Sequence, residues 1–170
     1  MNYINLIFHF LFYILSIIIP LGIGQLANNF LLKKRINEID IGFIGIFGFF
    51  TLYFLSSIFH LILPINDILT ILIIILGLIS FVVFTPKIFF IKNIKLLLLV
   101  SILLYPLTII FYVNEDFFFY YLPYLNYLIS SKIIFGLVNI NDILAYSTNS
   151  LYDIYVFFRI PYFINNGYAI

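Results

Sequence analysis

Apolar residues occur along this chain in long blocks that short polar segments separate. Four blocks are long enough to consider as membrane spans: Ile4–Gly24, Ile41–Leu63, Ile68–Thr85 and Ile94–Val113. A helix needs roughly 20 apolar residues to cross a bilayer, and these blocks reach or approach that length. The pattern predicts an all-α, polytopic membrane protein, with four transmembrane helices in residues 1–113 and interfacial amphipathic helices in residues 114–170.

Composition supports a membrane protein and excludes several other classes. Of 170 residues, 65% are hydrophobic and only 9% are charged, and the mean hydropathy is +1.21. A water-soluble domain cannot bury that much apolar surface, so the predicted partner is the lipid bilayer. The net charge of +1 leaves no basic surface for nucleic acid, and the absence of cysteine excludes disulfides and thiolate metal sites.

The basic residues predict the orientation of the chain. They cluster between the first and second blocks and between the third and fourth, whereas the "LPINDI" segment between the second and third blocks carries none. Lys and Arg are retained on the cytoplasmic side, so "LPINDI" and everything after Val113 are predicted to lie outside. The carboxy-terminal segment is therefore expected to be extracytoplasmic. The clusters are Lys33, Lys34 and Arg35, and then Lys87, Lys92 and Lys95.

Proline, asparagine and glycine predict turns and close helix contacts. Pro64, Asn66 and Asp67 favour a tight turn, which makes the second and third spans a helical hairpin. Pro20 is expected to kink or end the first span. Small residues let helix backbones approach closely, and two groups of them stand out. These are Gly22 with Gly24, and Gly42, Gly45 and Gly48 at three-residue spacing.

His9 and His60 lie within the first two spans, where an ionisable side chain is expensive and therefore suggests function. Each is single and has no partner at metal-ligand spacing, which favours a hydrogen bond to a neighbouring helix. His60 also lies near the outer end of its span, where it can meet water. The interiors of the second to fourth spans contain no Asp, Glu, Lys or Arg, which disfavours an ion-coupled carrier.

The segment after the fourth span opens with two acids, Glu115 and Asp116, and continues as an aromatic amphipathic stretch, Phe117–Ile134. That stretch is typical of a helix lying flat on a membrane. The acids have three interpretations. They can cap the following helix in water, or act as a general base after partial desolvation by the aromatic rings, or hold a divalent cation.

The same segment resembles a family of enzymes. The strings "EDFFFYYLPYLNYL", "KIIFGLVNIN" and "NSLY" resemble the first large outside loop of the GT-C superfamily of membrane glycosyltransferases, with its pattern D-D-x-P-x-Y-H-L-P-Y-x-K-x-L, K-I-x-x-G-L-x-N and F-N-S-x-W. The "LPINDI" hairpin is also similar to that of a bacterial branch of uncharacterised multi-pass members. The resemblance extends from about Leu61 to Tyr152.

The resemblance implies transfer of a sugar from a polyprenyl-phosphate-linked donor to an envelope glycan or lipid, by a multi-pass protein of the bacterial inner membrane. Asp116 is then the first choice for the catalytic acid or base and Glu115 the second, either of which can also take part in binding a divalent cation. The implied substrate-binding residues are Tyr120, Tyr121, Tyr124, Lys132, Asn139 and Asn149. Tyr121 replaces the histidine of the family pattern, and Phe118 its proline.

Members of the superfamily have more spans than this chain. The resemblance therefore implies an amino-terminal part, a truncated copy or half of a split enzyme, which would need a downstream membrane segment or a partner subunit. The alternative from another class is a non-enzymatic multi-pass protein, a scaffold or assembly partner in envelope polysaccharide synthesis. Its acids would only cap a helix.

Overall fold

The computed structural model describes residues 3–32, 40–85, 87–109 and 122–136. Those residues form helices and short connections, and they contain no strand. In order the elements are α1 (Tyr3–Ala27), a π-helical continuation (Asn28–Leu32), α2 (Ile41–Ile62), α3 (Asp67–Phe84), α4 (Lys87–Ile109) and α5 (Leu122–Ser130). The all-helical prediction is confirmed.

Three of the described helices are long and apolar enough to cross a membrane. They are Tyr13–Leu32, Ile41–Ile62 and Asp67–Phe84, and a shorter apolar stretch covers Asn93–Pro106. Large hydrophobic side chains point outward along them, for example Phe50 at 67% and Val82 at 77% exposure. Such a surface suits lipid and not water, so the chain is a membrane protein.

Two boundaries differ from those expected. The first helix does not end near Pro20 but passes through it to Ala27, and the candidate membrane span Tyr13–Leu32 includes the π-helical continuation. The fourth helix begins at Lys87, so Lys87, Lys92 and Lys95 lie on its first turns and not in a loop. Of the three, Lys95 has a described side chain, and it is exposed, as suits a lysine that extends toward water.

The described residues belong to two compact units. The first takes its residues from Met1–Thr51 and Ile75–Phe111, and the second from Leu52–Ile74 and Tyr112–Ala169. The division predicted at Val113 concerns the side of the membrane that each part faces, and it stays a prediction.

Glycine brings the helices of the first unit into backbone contact. A Cβ atom added at Gly48 would fall on the carbonyl oxygen of Pro20, and one at Gly24 would fall on that of Ile44. The same holds between Gly22 and the carbonyl oxygen of Gly77 on α3. In lipid no hydrophobic driving force acts between helices and van der Waals contact contributes to their association, so these close approaches help to hold α1 against α2 and α3.

Two polar contacts tie the same unit together. The Tyr13 hydroxyl of α1 donates to the backbone carbonyl of Ser101 on α4 at 3.0 Å, and the Tyr13 ring lies 5.4 Å from that of Tyr105. The hydroxyl of Thr85 donates to Oε1 of Gln25 at 2.8 Å, and Gln25 is only 1% exposed. Burying a polar group without a hydrogen-bond partner costs free energy, and these two bonds avoid that cost.

Asp40 and Asn66 define where α2 and α3 begin. Oδ1 of Asp40 accepts from the N–H of Gly42 at 2.6 Å, and Oδ1 of Asn66 accepts from that of Leu69 at 3.0 Å. Each satisfies one of the free N–H groups of a first helical turn. The four-residue connection from α2 to α3 contains Pro64, so the predicted tight turn is confirmed.

Candidate functional site

The candidate site lies at the end of α2. There Pro64 leaves one backbone carbonyl of α2 without its helical hydrogen-bond donor. In a helix the carbonyl of His60 would accept from the N–H of residue 64, but proline has none. The N–H of Ile133 takes that place at 3.0 Å. In the opposite direction, the N–H of Ile65 in the turn donates to the carbonyl of Leu128 at 2.9 Å, one of the last carbonyls of α5.

The imidazole of His60 strengthens the same connection. His60 is 2% exposed, and its Nε2 lies 3.0 Å from the carbonyl oxygen of Ser131. A carbonyl oxygen only accepts, so Nε2 carries the hydrogen. The Tyr127 ring meets the imidazole edge to face, with centroids 5.9 Å apart and planes at 71°. His60 therefore holds the segment after α5 through its backbone and its side chain.

The hydroxyl of Tyr127 makes two more hydrogen bonds to the segment after α5. It donates to the carbonyl of Lys132 at 3.1 Å and accepts from the N–H of Ile134 at 2.8 Å. Four successive residues of the segment thus each have a backbone group in a hydrogen bond to His60 or Tyr127. We call this set of contacts the His60 junction; its members are His60, Ile65, Tyr127, Leu128 and residues 131–134.

The helix expected over Phe117–Ile134 is shorter where the structure describes it. Among the described residues α5 covers Leu122–Ser130, so it ends four residues before Ile134. Residues 131–134 are not helical, since their backbone groups bond to His60 and Tyr127. Gly136 follows with a φ of 83°, a left-handed conformation that glycine adopts readily.

Two of the predicted site residues lie in this region. Lys132 is exposed and sits in the segment held by the junction, and Tyr124 belongs to α5. The others lie outside the described residues, and their roles stay predictions. These are Glu115, Asp116, Tyr120, Tyr121, Asn139 and Asn149.

The described part of the chain brings no three His, Asp or Glu side chains together as metal ligands. The divalent cation considered for Glu115 and Asp116 falls outside that part and is not tested by it. His9 lies on α1, but its side chain also falls outside the description.

The first unit contains a concavity. It has a volume of about 360 Å³ and is lined mainly by apolar side chains of α1, α2 and α4, among them Ile17, Leu21 and Leu97, together with Asp40. Binding sites combine an apolar lining with several converging polar groups. Here the carboxylate of Asp40 is engaged in capping α2, so we place the functional site at the junction.

Sequence reasoning did not identify His60 as part of this site. It expected a hydrogen bond to a neighbouring helix or contact with water, whereas the side chain is buried and bonds to the segment after α5. A signal was present: Pro64 lies four residues after His60, so its carbonyl needs a donor from elsewhere. Which segment would supply the donor cannot be read from the sequence.

No family model, curated protein or solved structure matches this chain.

Proposed function

We propose that this chain is the amino-terminal part of a membrane glycosyltransferase. It would transfer a sugar from a polyprenyl-phosphate donor to an envelope glycan or lipid, on the outer face of the bacterial inner membrane. The proposal starts from the resemblance of the acidic-aromatic segment to the GT-C superfamily, and the His60 junction supports it.

The supporting observation is the attachment of the segment that carries Lys132 to the end of α2. A lipid-linked donor keeps its hydrocarbon chain in the bilayer and its phosphate at the surface, so residues that bind it must lie close to the end of a span. The N–H of Ile133 bonds to the carbonyl of His60. His60 lies two residues before the end of α2, a helix long enough to cross a membrane. A cation presented there suits a lipid phosphate.

In the proposed reaction a hydroxyl oxygen of the acceptor attacks the anomeric carbon of the donor sugar. The new glycosidic bond forms as the bond from that carbon to the phosphate oxygen breaks, and the lipid phosphate leaves with the electron pair. The carboxylate of Asp116 takes the proton of the attacking hydroxyl as general base. Lys132 would bind the phosphate before and after transfer.

The test replaces Asp116 by Asn in the longest natural open reading frame that contains this chain, and measures transfer from radiolabelled polyprenyl-phosphate glucose or mannose to membrane acceptors. A general base contributes about 10²–10⁴-fold to a rate, so transfer should fall by about that factor. Asp67→Asn, which changes an exposed acid at the start of α3, is the matched control and should retain transfer. Equal transfer by Asp116→Asn and the natural protein would remove Asp116 from the mechanism. Absence of transfer by the natural protein with either donor would favour the scaffold alternative.

A further inference from the structure

The contacts around Lys132 point to a role for two residues, His60 and Tyr127, to which the resemblance assigns none. Lys132 is exposed, whereas the backbone on both sides of it is held. His60 binds the carbonyl of Ser131 through its ring and the N–H of Ile133 through its own carbonyl. Tyr127 binds the carbonyl of Lys132 itself.

This arrangement is specific to the side chains of His60 and Tyr127. Leu128 and Ile65 are each 0% exposed and pack in the same junction, but the hydrogen bonds to residues 131, 132 and 134 come from the imidazole and the phenol. An apolar replacement of either side chain keeps much of the packing and removes the bonds. The two functions, burial and orientation, can therefore be separated experimentally.

We propose that His60 and Tyr127 are positioning residues, which fix the backbone of residues 131–134 so that Lys132 meets the phosphate of a lipid-linked donor. The inference rests on the proposed function. A side chain on a fixed backbone loses less conformational entropy when it binds a ligand, so preorganisation increases affinity without adding a contact to the ligand. Neither residue touches the donor; both act through Lys132.

The first measurement follows the backbone alone. Hydrogen exchange of the amides in residues 131–136, measured in nanodiscs by mass spectrometry, should become about fivefold faster in Tyr127→Phe, because Ile134 loses its acceptor. Exchange within α3 should stay unchanged, which shows that the variant is folded. Tyr53→Phe changes an exposed tyrosine of α2 and is the matched control. Unchanged exchange at 131–136 in Tyr127→Phe would overturn the inference.

The second measurement follows transfer in the same variants. Tyr127→Phe and His60→Leu should raise the KM for the polyprenyl-phosphate donor more than they lower kcat, and His60→Gln, which retains an N–H donor, should recover part of the loss. In a Lys132→Gln background Tyr127→Phe should have no additional effect, since coupled residues are not additive. A merely structural role would lower activity in both backgrounds.

The outcomes separate this inference from the function on which it depends. Faster exchange with an unchanged KM, or equal effects of Tyr127→Phe with and without Lys132, would overturn the positioning role and leave glycosyl transfer standing. Absence of transfer by the natural protein would overturn the proposed function, and the positioning role with it.

Discussion

Replacing Gly48 by alanine tests whether backbone contact between α1 and α2 stabilises the protein. A Cβ atom at this position would lie 2.6 Å from the carbonyl carbon of Pro20 and 3.0 Å from the backbone nitrogen of Gly24. Non-bonded carbon atoms prefer about 3.5–4.0 Å, so the two backbones would have to separate by about 1 Å. No side-chain rotation relieves the overlap, because the atoms that the added Cβ meets belong to the backbone. Gly45 offers a matched control, since its Cβ would meet only Cδ2 of Leu21 at an ordinary 3.6 Å.

The magnitude follows from opposing contributions. Alanine favours a helix over glycine by about 1 kcal/mol at either position. At Gly48 this gain is offset by overpacking, which costs about 1–3 kcal/mol, and by weakened contacts of α1 with α2, since a gap of about 1 Å removes up to half of each dispersion well. Once the gain in helix propensity is subtracted, we expect Gly48→Ala to destabilise the protein by about 1–2 kcal/mol. We expect Gly45→Ala to leave the stability unchanged or slightly higher.

The assay is reversible unfolding of the purified protein in mixed micelles, with increasing SDS and circular dichroism as the readout. Both variants are compared with the natural chain under identical detergent conditions. If Gly48→Ala and Gly45→Ala shift the midpoint equally, or if Gly48→Ala stabilises the protein, then the close approach of α1 and α2 does not contribute to stability and the packing argument is wrong.

Two further predictions concern the membrane region and its orientation. Tyr13→Phe removes the donor to the Ser101 carbonyl but keeps the ring beside Tyr105, so it should cost about 1 kcal/mol in the same unfolding assay, and no loss would show that the bond contributes nothing. Because the chain has no cysteine, single cysteines report orientation directly. A membrane-impermeant maleimide added to whole cells should label Phe135→Cys and miss Lys34→Cys until the cells are lysed, and the reverse pattern would contradict the proposed orientation.

Much of the helical framework could be predicted because the signals for it are local. α2 and α3 follow from their apolar runs, and the turn between them follows from Pro64 and Asn66, whereas the cap that Asp40 provides for α2 emerged only from the structure. The glycine stripe was only partly informative. With 3.6 residues per turn, positions three apart drift around the helix, so Gly48 meets the backbone of α1, Gly45 makes an ordinary contact and Gly42 is exposed.

The candidate site was harder to predict because it depends on contacts between distant parts of the chain. His60 and Ser131 are 71 residues apart, and the local sequence around either residue does not predict that they are in contact. The sequence indicated that residues near Lys132 matter, through resemblance alone. It also extended the interfacial helix to Ile134, because amphipathic spacing does not reveal that the backbone of residues 131–134 bonds to another element instead of continuing the helix.

Pro64 links the turn to the candidate site by a simple physical requirement. Proline suits the sharp connection between α2 and α3, but it leaves the carbonyl of His60, a buried residue, without its helical donor. Leaving such a group unpaired costs about 1–3 kcal/mol. The N–H of Ile133 removes that cost, and the Leu128 carbonyl at the end of α5 is satisfied in return by Ile65. Each segment therefore satisfies groups that the other leaves open, so the turn and the segment that carries Lys132 are expected to form or separate together.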